Sequence, residues 1–196
     1  MKKPKFQRPT GMHDILPEDQ GYFQKIYNVC ETVANFYGFK KIDTPILEDT
    51  ALYEKGTGLT TDIVQKQMFT LRTKGGNYLT LRPEFTPGII RAYLEHGMQT
   101  LPQPVKLYSS GPAFRYEHPQ AVRYRQFHQF NLEVIGDGNS VIDAQVIQIF
   151  YNILIELKLK KLIVELNSIG DSQCRPYYKK LLLNYLKSRD LSLCVD

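Results

Sequence analysis

GPAFRYEHPQAVRYRQFHQFNLEVIG, residues 111–136, is the stretch that decides the fold, because it predicts two strands joined by a basic loop. Pro119 breaks the run between the strands, since proline cannot donate a hydrogen bond to a strand ladder and biases the residue before it away from helix. The second strand begins near Tyr124. Consecutive strands that pair as a hairpin predict an α+β fold, with a mostly antiparallel sheet flanked by helices, rather than a doubly wound nucleotide-binding fold.

Strand alternation sorts the side chains of this hairpin onto two faces. One face of the second strand becomes apolar toward its end, with Phe130, Leu132 and Val134, and is suited to packing on a core. The other face is unusual, because it combines cations, an aromatic ring, amides and carboxylates. Its members are Ala113, Arg115 and Glu117 of the first strand and Arg125, Phe127, Gln129, Asn131 and Glu133 of the second.

This polar face carries the groups that a nucleotide and a small zwitterion require. The guanidinium of Arg115 can form two parallel hydrogen bonds with a phosphate, and a base can stack on the ring of Phe127. The amides and carboxylates suit an amine. A solvated antiparallel hairpin without a ligand is the alternative, and spacing alone leaves both interpretations open.

Two motifs in the stretch resemble those of a known family. F-R-Y-E, residues 114–117, is similar to the F-R-x-E of motif 2 in class II aminoacyl-tRNA synthetases. R-Y-R-Q-F-H-Q, residues 123–129, resembles the histidyl-tRNA synthetase version of that motif. The resemblance extends over nearly the whole chain and implies the catalytic core of a class II synthetase.

Three segments outside the hairpin carry the same resemblance. A helix at 22–37, ended by Gly38, and a strand at 39–48, ended at Pro45, resemble motif 1, which forms much of the dimer interface in that family. An ordinary helix–strand unit is the alternative. L-R-P-E-F-T, residues 81–86, is similar to the amino-acid-binding segment of bacterial-type histidyl-tRNA synthetases, and L-N-S-I-G, residues 166–170, also matches the family.

The resemblance implies a histidine–tRNA ligase, which joins histidine to ATP as histidyl-adenylate and then transfers it to the 3′ end of tRNA(His). Arg115 is the implied catalytic residue, at the α-phosphate. Mg²⁺ would bridge the outer phosphates, and no protein residue is expected to bind a metal. The implied ATP-binding residues are Arg115, Glu117, Arg123 and Phe127, and the implied histidine-binding residues are Glu84, Thr86, Arg115, Gln129 and Glu133.

Within that set, Glu84 and Thr86 are implied to hold the α-amino group of histidine. The alternative for Glu84 is an acid that complements the positive end of the following helix. We expect Glu133 to accept a hydrogen bond from the imidazole, against the alternative of a surface carboxylate. Arg125 and His128 are expected to have structural roles.

The remaining pattern predicts ordinary secondary structure. The loop at 56–62 is glycine-rich, but it lacks the Gly-Lys-Ser/Thr ending of a phosphate-binding loop and no strand directly precedes it. Residues 1–10 are polar and basic and predict a loose arm. The other predicted elements are a short helix at 49–55, a hairpin of strands 68–72 and 78–82, helices from 86 to 97, 140 to 157 and 171 to 187, and a strand at 162–167.

Composition bounds the remaining possibilities. The 196 residues suffice for one domain, and the net charge of +5 permits polyanion binding without proving it. Three cysteines without C-x-x-C spacing indicate neither a disulfide framework nor a zinc site. Charges interrupt every apolar run well before the length of a membrane span. The N-terminus lacks the apolar stretch of a signal peptide, so we expect a cytoplasmic protein that does not bind membranes.

The family continues with a second histidine-binding segment, motif 3 and an anticodon-binding domain, none of which lies within residues 1–196. We therefore expect an N-terminal portion of a catalytic domain that is inactive alone, from a homodimer. A catalytically silent regulatory subunit of histidine biosynthesis and a generic RNA-binding module are the alternatives. A silent relative has no need of the polar face. An RNA-binding module would not align Glu84, Glu117 and Glu133, because carboxylates repel phosphate.

Overall fold

The computed structural model describes residues 5–57, 66–121, 123–168 and 170–189. Most of the predicted loop at 56–62 lies outside these ranges, as do the residues after 189. The chain forms two compact units, residues 1–159 and residues 160–196. The hairpin and the predicted site residues all belong to the first unit.

The first unit contains four described α-helices, one short 3-10 helix at Met98–Thr100 and six described strands. The helices are α1 (Pro17–Phe36), α2 (Thr50–Thr57), α3 (Thr86–Glu95) and α4 (Ser140–Glu156). The strands are β1 (Lys40–Lys41), β2 (Leu47–Asp49), β3 (Phe69–Arg72), β4 (Tyr78–Leu81), β5 (Val105–Phe114) and β6 (Gln126–Ile135).

The strands form two three-stranded sheets. The larger sheet has the order β1-β5-β6, with β1 parallel to β5 and β5 antiparallel to β6. The smaller sheet has the order β2-β4-β3 and is antiparallel throughout. The predicted α+β class, with mostly antiparallel strands and flanking helices, is therefore confirmed.

The ends of α1 follow from its sequence, and the predicted end of this helix before Gly38 is confirmed. Pro17 occupies the first helical position, where its missing N–H costs no hydrogen bond, and Glu18 and Asp19 complement the positive end of the helix. Gly38 follows the helix with a φ of +82°, a conformation that favours glycine. The turn at Gly38 leads directly into Phe39, whose side chain is fully buried.

Two predicted strands differ from the structure. The strand predicted at 39–48 is divided at Pro45, because β1 pairs with β5 of the larger sheet whereas β2 pairs with β4 of the smaller one. The prediction of a strand at 162–167 is wrong. Among the described residues this segment has no strand partner, and Ile163 is 83% exposed. Favourable residue types do not make a strand where no neighbouring strand completes its hydrogen bonds.

Hydrophobic side chains pack on both faces of the β5–β6 hairpin. Phe130, Leu132 and Val134 pack under α1 and α4, which confirms the predicted apolar face. Phe127 packs on the opposite face, against a cluster that includes Phe85 and Ile89 of the α3 region. The hairpin therefore lies between two layers, and the segment leading into α3 is placed over the polar face.

The second unit contains one described helix, α5 (Cys174–Lys187). The carboxylate of Asp171 accepts hydrogen bonds from the backbone N–H groups of Gln173, at 2.9 Å, and Cys174, at 2.8 Å. These bonds lower the pKa of the Asp171 carboxyl, and the bond from Cys174 has the largest effect. An aspartate at this place satisfies donors that the first turn of a helix leaves unpaired.

Candidate active site

Arg82 fixes the segment that carries Glu84 and Thr86. Its side chain is buried, its Nε donates to the carbonyl of Pro112 at 2.8 Å, and its Nη1 donates to the carbonyl of Thr44 at 3.0 Å. Burial lowers the pKa of this guanidinium. A methyl group on Gly111 would lie only 2.9 Å from Nη2 of Arg82, so glycine is required for this close approach.

Sequence reasoning assigned no role to Arg82. The only available signal was its place inside L-R-P-E-F-T, since a cation beside proline does not reveal the carbonyls that surround it. The side-chain hydrogen bonds of Arg82 to the carbonyls of Thr44 and Pro112 span 38 and 30 positions of the chain, so they require the tertiary fold.

Arg115 lies between this segment and β6. Its Nε donates to the carbonyl of Pro83 at 3.1 Å, and its guanidinium carbon lies 5.2 Å from the ring centre of Phe127. Its backbone N–H donates to the carbonyl of Arg125 at 2.9 Å. These contacts hold the guanidinium by one nitrogen, and among the described residues the two terminal nitrogens have no hydrogen-bond partner. The two terminal nitrogens can therefore donate a pair of hydrogen bonds to one phosphate group.

The loop between the strands pairs two of the predicted ATP-binding residues with each other. Nε of Arg123 lies 3.6 Å from Oε2 of Glu117, and the Glu117 side chain is only 17% exposed. The Arg125 guanidinium lies 4.0 Å from the ring centre of Tyr116, and its Nε donates to the carbonyl of Glu117 at 3.1 Å. Both arginines thus hold Glu117, one through its carboxylate and one through its backbone.

Two of the predicted histidine-binding residues are in direct contact. The Thr86 hydroxyl donates to Oε1 of Glu133 at 2.5 Å, and Nδ2 of Asn131 donates to the same oxygen at 2.7 Å. Oε1 of Gln129 is buried and has no hydrogen-bond partner within the described part of the chain. A buried acceptor without a donor is costly, and such atoms mark places where a ligand can bind.

Glu84 lies near the buried hydroxyl of Tyr53. The pKa of Tyr53 is raised, first by burial and then by the negative charges of Glu48 and Glu84, while Arg82 and Arg91 oppose this effect. Tyr53 is 1% exposed and belongs to α2, so this part of the site is closed by a helix that sequence reasoning did not connect with it.

The structure brings the predicted residues together in two groups on one face of β6. Arg115 and Phe127 form one group, and Thr86 and Glu133 form the other. Successive residues on a strand face lie about 7 Å apart, so Gln129 falls between the two groups along β6. Alternation does not assign faces to residues 115–117 and 125, because β5 ends at Phe114 and β6 begins at Gln126.

His128 lies on the opposite face of β6, against α1. Its ring centre lies 5.2 Å from that of Phe23 and 6.4 Å from that of Tyr27, with edge-to-face geometry. Desolvation at this partly covered position lowers the pKa of His128. These contacts agree with the structural role expected for it.

Within the described ranges, no group of three or more His, Cys, Asp or Glu side chains is placed to hold a metal ion. The helices of the same ranges include none with the length and apolar character needed to cross a bilayer.

Comparison with known proteins gives consistent results. Residues 11–171 match the family model described as histidyl-tRNA synthetase. A histidine–tRNA ligase from Dehalococcoides mccartyi is 47% identical over 97% of this chain and 46% of its own length. The chain thus spans a little less than half the length of the curated relatives it matches.

Two solved structures share the fold. Apo histidyl-tRNA synthetase from S. aureus has a TM-score of 0.74 and 38% identity, covering 96% of this chain and 44% of that protein. A Bacillus halodurans structure, described as an ATP phosphoribosyltransferase regulatory subunit/histidyl-tRNA synthetase, has a TM-score of 0.70 and 29% identity, covering 82% of this chain and 40% of that protein.

Proposed function

The chain belongs to the histidyl-tRNA synthetase family, and from that premise we propose that the whole protein activates histidine with ATP and transfers it to the 3′ end of tRNA(His). Residues 1–196 are then the N-terminal portion of its catalytic domain, with motifs 1 and 2. The observation that carries the proposal is the placement of Arg115. Its Nε donates to Pro83, its guanidinium lies 5.2 Å from the ring centre of Phe127, and its terminal nitrogens have no hydrogen-bond partner among the described residues.

In the first step a carboxylate oxygen of histidine attacks the α-phosphorus of ATP. A new P–O bond forms, the bond to the β-phosphate oxygen breaks, and pyrophosphate leaves with the electron pair. Such a transfer depends on positioning and charge stabilisation rather than on a covalent protein group. Arg115 would stabilise the negative charge that grows on the α-phosphate oxygens.

ATP would bind at the loop end of the hairpin. Its adenine ring would stack on Phe127, and its amino group would donate to Glu117. Arg123 would bind the outer phosphates, and Mg²⁺, when bound, would help to neutralise their negative charge. The Arg123–Glu117 ion pair of 3.6 Å would open on ATP binding, which is inexpensive because the Arg123 side chain is 66% exposed.

Histidine would bind farther along β6. The buried Oε1 of Gln129, which has no donor within the described ranges, would accept from the α-ammonium group. The Thr86 hydroxyl hydrogen is committed to Glu133, so its oxygen can accept from the same ammonium. Glu84 would supply a negative charge there. Oε2 of Glu133 would accept the imidazole N–H.

In the second step the terminal ribose hydroxyl of tRNA(His) attacks the acyl carbon, and AMP leaves.

We also propose that the protein works in the cytoplasm as a homodimer through the 22–47 region. Exposed apolar side chains support this, with Tyr22 71% and Phe36 84% exposed. Sedimentation of the full-length protein at micromolar concentration tests it, and a monomer would contradict it.

A second candidate is a regulatory subunit of ATP phosphoribosyltransferase. The Bacillus halodurans structure favours it, because its description includes that role. A purely regulatory protein would not need Arg115, Gln129 and Glu133 arranged on one face, so the ligase is the better-supported function.

Histidine-dependent exchange of pyrophosphate into ATP by the full-length gene product separates the two candidates. A ligase catalyses this exchange with histidine and not with other amino acids. A regulatory subunit shows none, and that result would overturn the proposal.

A further inference from the structure

A short segment before α1, residues 9–13, lies against the base of the hairpin loop; we refer to it as the N-terminal strap. The carbonyl of Gly11 accepts a hydrogen bond from the backbone N–H of Arg125 at 2.7 Å and a longer one from Gln126 at 3.4 Å. The ring of His13 meets that of Tyr124 edge-to-face, with 4.3 Å between ring centres. The strap is therefore anchored to the hairpin rather than merely leading into a helix.

Arg125 connects the strap with the proposed ATP site. Its carbonyl accepts from the backbone N–H of Arg115 at 2.9 Å, and its Nε donates to the carbonyl of Glu117 at 3.1 Å. Its guanidinium covers the ring of Tyr116, 4.0 Å away. One residue thus bonds the strap on one side and both ATP-site residues on the other.

The strap fits this position only with glycine at residue 11. Gly11 has a φ of +78°, which residues with a side chain rarely adopt. A methyl group there would lie 2.9 Å from Cγ and 3.1 Å from Cδ of Arg125. Any larger residue would push Arg125 or the strap away.

From these contacts we propose that the N-terminal strap is a positioning element of the ATP site, acting through Arg125 on Arg115 and Glu117. This inference rests on the proposed function, because it takes those two residues to bind ATP. Within the described part of the chain, Thr86 and Glu133 make no contact with the strap. Loosening the strap should therefore weaken ATP and leave histidine almost unaffected.

The test uses Gly11→Ala in the full-length protein, with Gly21→Ala as the matched control. Gly21 lies in α1, and a methyl group there meets nothing within 4 Å. The readouts are the KM values for ATP and histidine in pyrophosphate exchange, and the Kd of α,β-methylene-ATP by calorimetry. Because a weakened hydrogen bond to a charged phosphate costs about tenfold or more in affinity, we expect the ATP constants of Gly11→Ala to rise about tenfold or more. The histidine KM and the control should stay near the unsubstituted values.

Near-native ATP constants for Gly11→Ala would overturn the inference, as would ATP and histidine constants that rise together. Arg125→Met is the second variant if Gly11→Ala does not fold. It retains a linear chain beside Gly11 but loses the Nε donor and the cation over Tyr116, so the same selective loss of ATP affinity is expected and its absence would count against the strap. An unsubstituted protein without exchange activity would refute the proposed function instead, while analogue binding would still decide the role of the strap.

Discussion

The hydroxyl of Thr86 donates a 2.5 Å hydrogen bond to Oε1 of Glu133, although the two residues are 47 positions apart in the chain. The bond joins the first residue of α3 to β6. Asn131 donates to the same oxygen, so Oε1 is held by two protein donors. The carboxylate is therefore fixed in orientation before any ligand arrives, with Oε2 left without a donor among the described residues.

Glu133 should determine the affinity for histidine. Glu133→Ala removes the acceptor for the imidazole N–H and should raise the histidine KM strongly, with the ATP KM nearly unchanged. An unpaired buried group costs about 1–3 kcal/mol, or more when charged. Glu133→Gln keeps an acceptor oxygen and should have a moderate effect. Pyrophosphate exchange measures both constants, and an Ala variant in which they rise together would remove Glu133 from the imidazole site.

Thr86 should act through its hydroxyl rather than its size. Thr86→Val keeps the shape but loses the donor to Glu133 and the acceptor for the ammonium, so the histidine KM should rise about tenfold. Thr86→Ser retains the hydroxyl and should remain close to the unsubstituted enzyme. Equal behaviour of the Val and Ser variants would show that the 2.5 Å bond has no part in binding.

Arg115 should be needed for adenylation. Arg115→Gln removes the charge and the forked geometry while keeping one hydrogen bond within reach of Pro83. Because lost stabilisation of a developing charge costs about 3 kcal/mol, single-turnover adenylate formation should slow about 100-fold. Native rates in this variant would place the α-phosphate contact elsewhere.

Tyr53 should make the folded protein sensitive to alkali. Burial raises the pKa of Tyr53, so the folded state keeps its phenol proton when the unfolded state loses its own, near pH 10. Above about pH 10 the folded state then binds more protons, and the free energy of unfolding falls by up to about 1.4 kcal/mol per pH unit.

Urea unfolding of the full-length protein between about pH 8 and pH 11 measures this effect. Tyr53→Phe should flatten the alkaline decline. Tyr177→Phe is the control, because it removes the same hydroxyl from a side chain that is 67% exposed and lies outside the proposed dimer region. An unchanged slope in Tyr53→Phe would contradict the assignment.

Local sequence signals predicted the elements that local physics determines. The hairpin followed from alternation and from Pro119, and the predicted helix at 22–37, ended by Gly38, corresponds to α1. The sequence predicted that Thr86 and Glu133 belong to the same site. It did not predict the hydrogen bond between them, because the motif resemblance named both residues but not their contact. The role of each residue in binding remains a prediction.

Long-range pairing accounts for what the sequence did not reveal. The strand predicted at 39–48 is divided at Pro45 because its two halves pair with different sheets. The segment at 162–167 lacks a described partner strand. The Glu117–Arg123 pair depends on how the loop folds back. In each case the structure depends on a contact between residues that the local sequence pattern does not pair.

Arg82 has a consequence for how the first unit opens. Its backbone N–H donates to Ile46 and its carbonyl accepts from Phe114, while its side chain donates to Thr44 and Pro112. Separating the smaller sheet from the larger one would leave the buried Arg82 guanidinium without its carbonyl acceptors. The free-energy cost of that separation is far above the cost of fraying at a sheet edge. Amide hydrogens of both sheets should therefore exchange with solvent in one cooperative event, so that the segment carrying Glu84 and Thr86 cannot unfold while the β5–β6 hairpin stays folded.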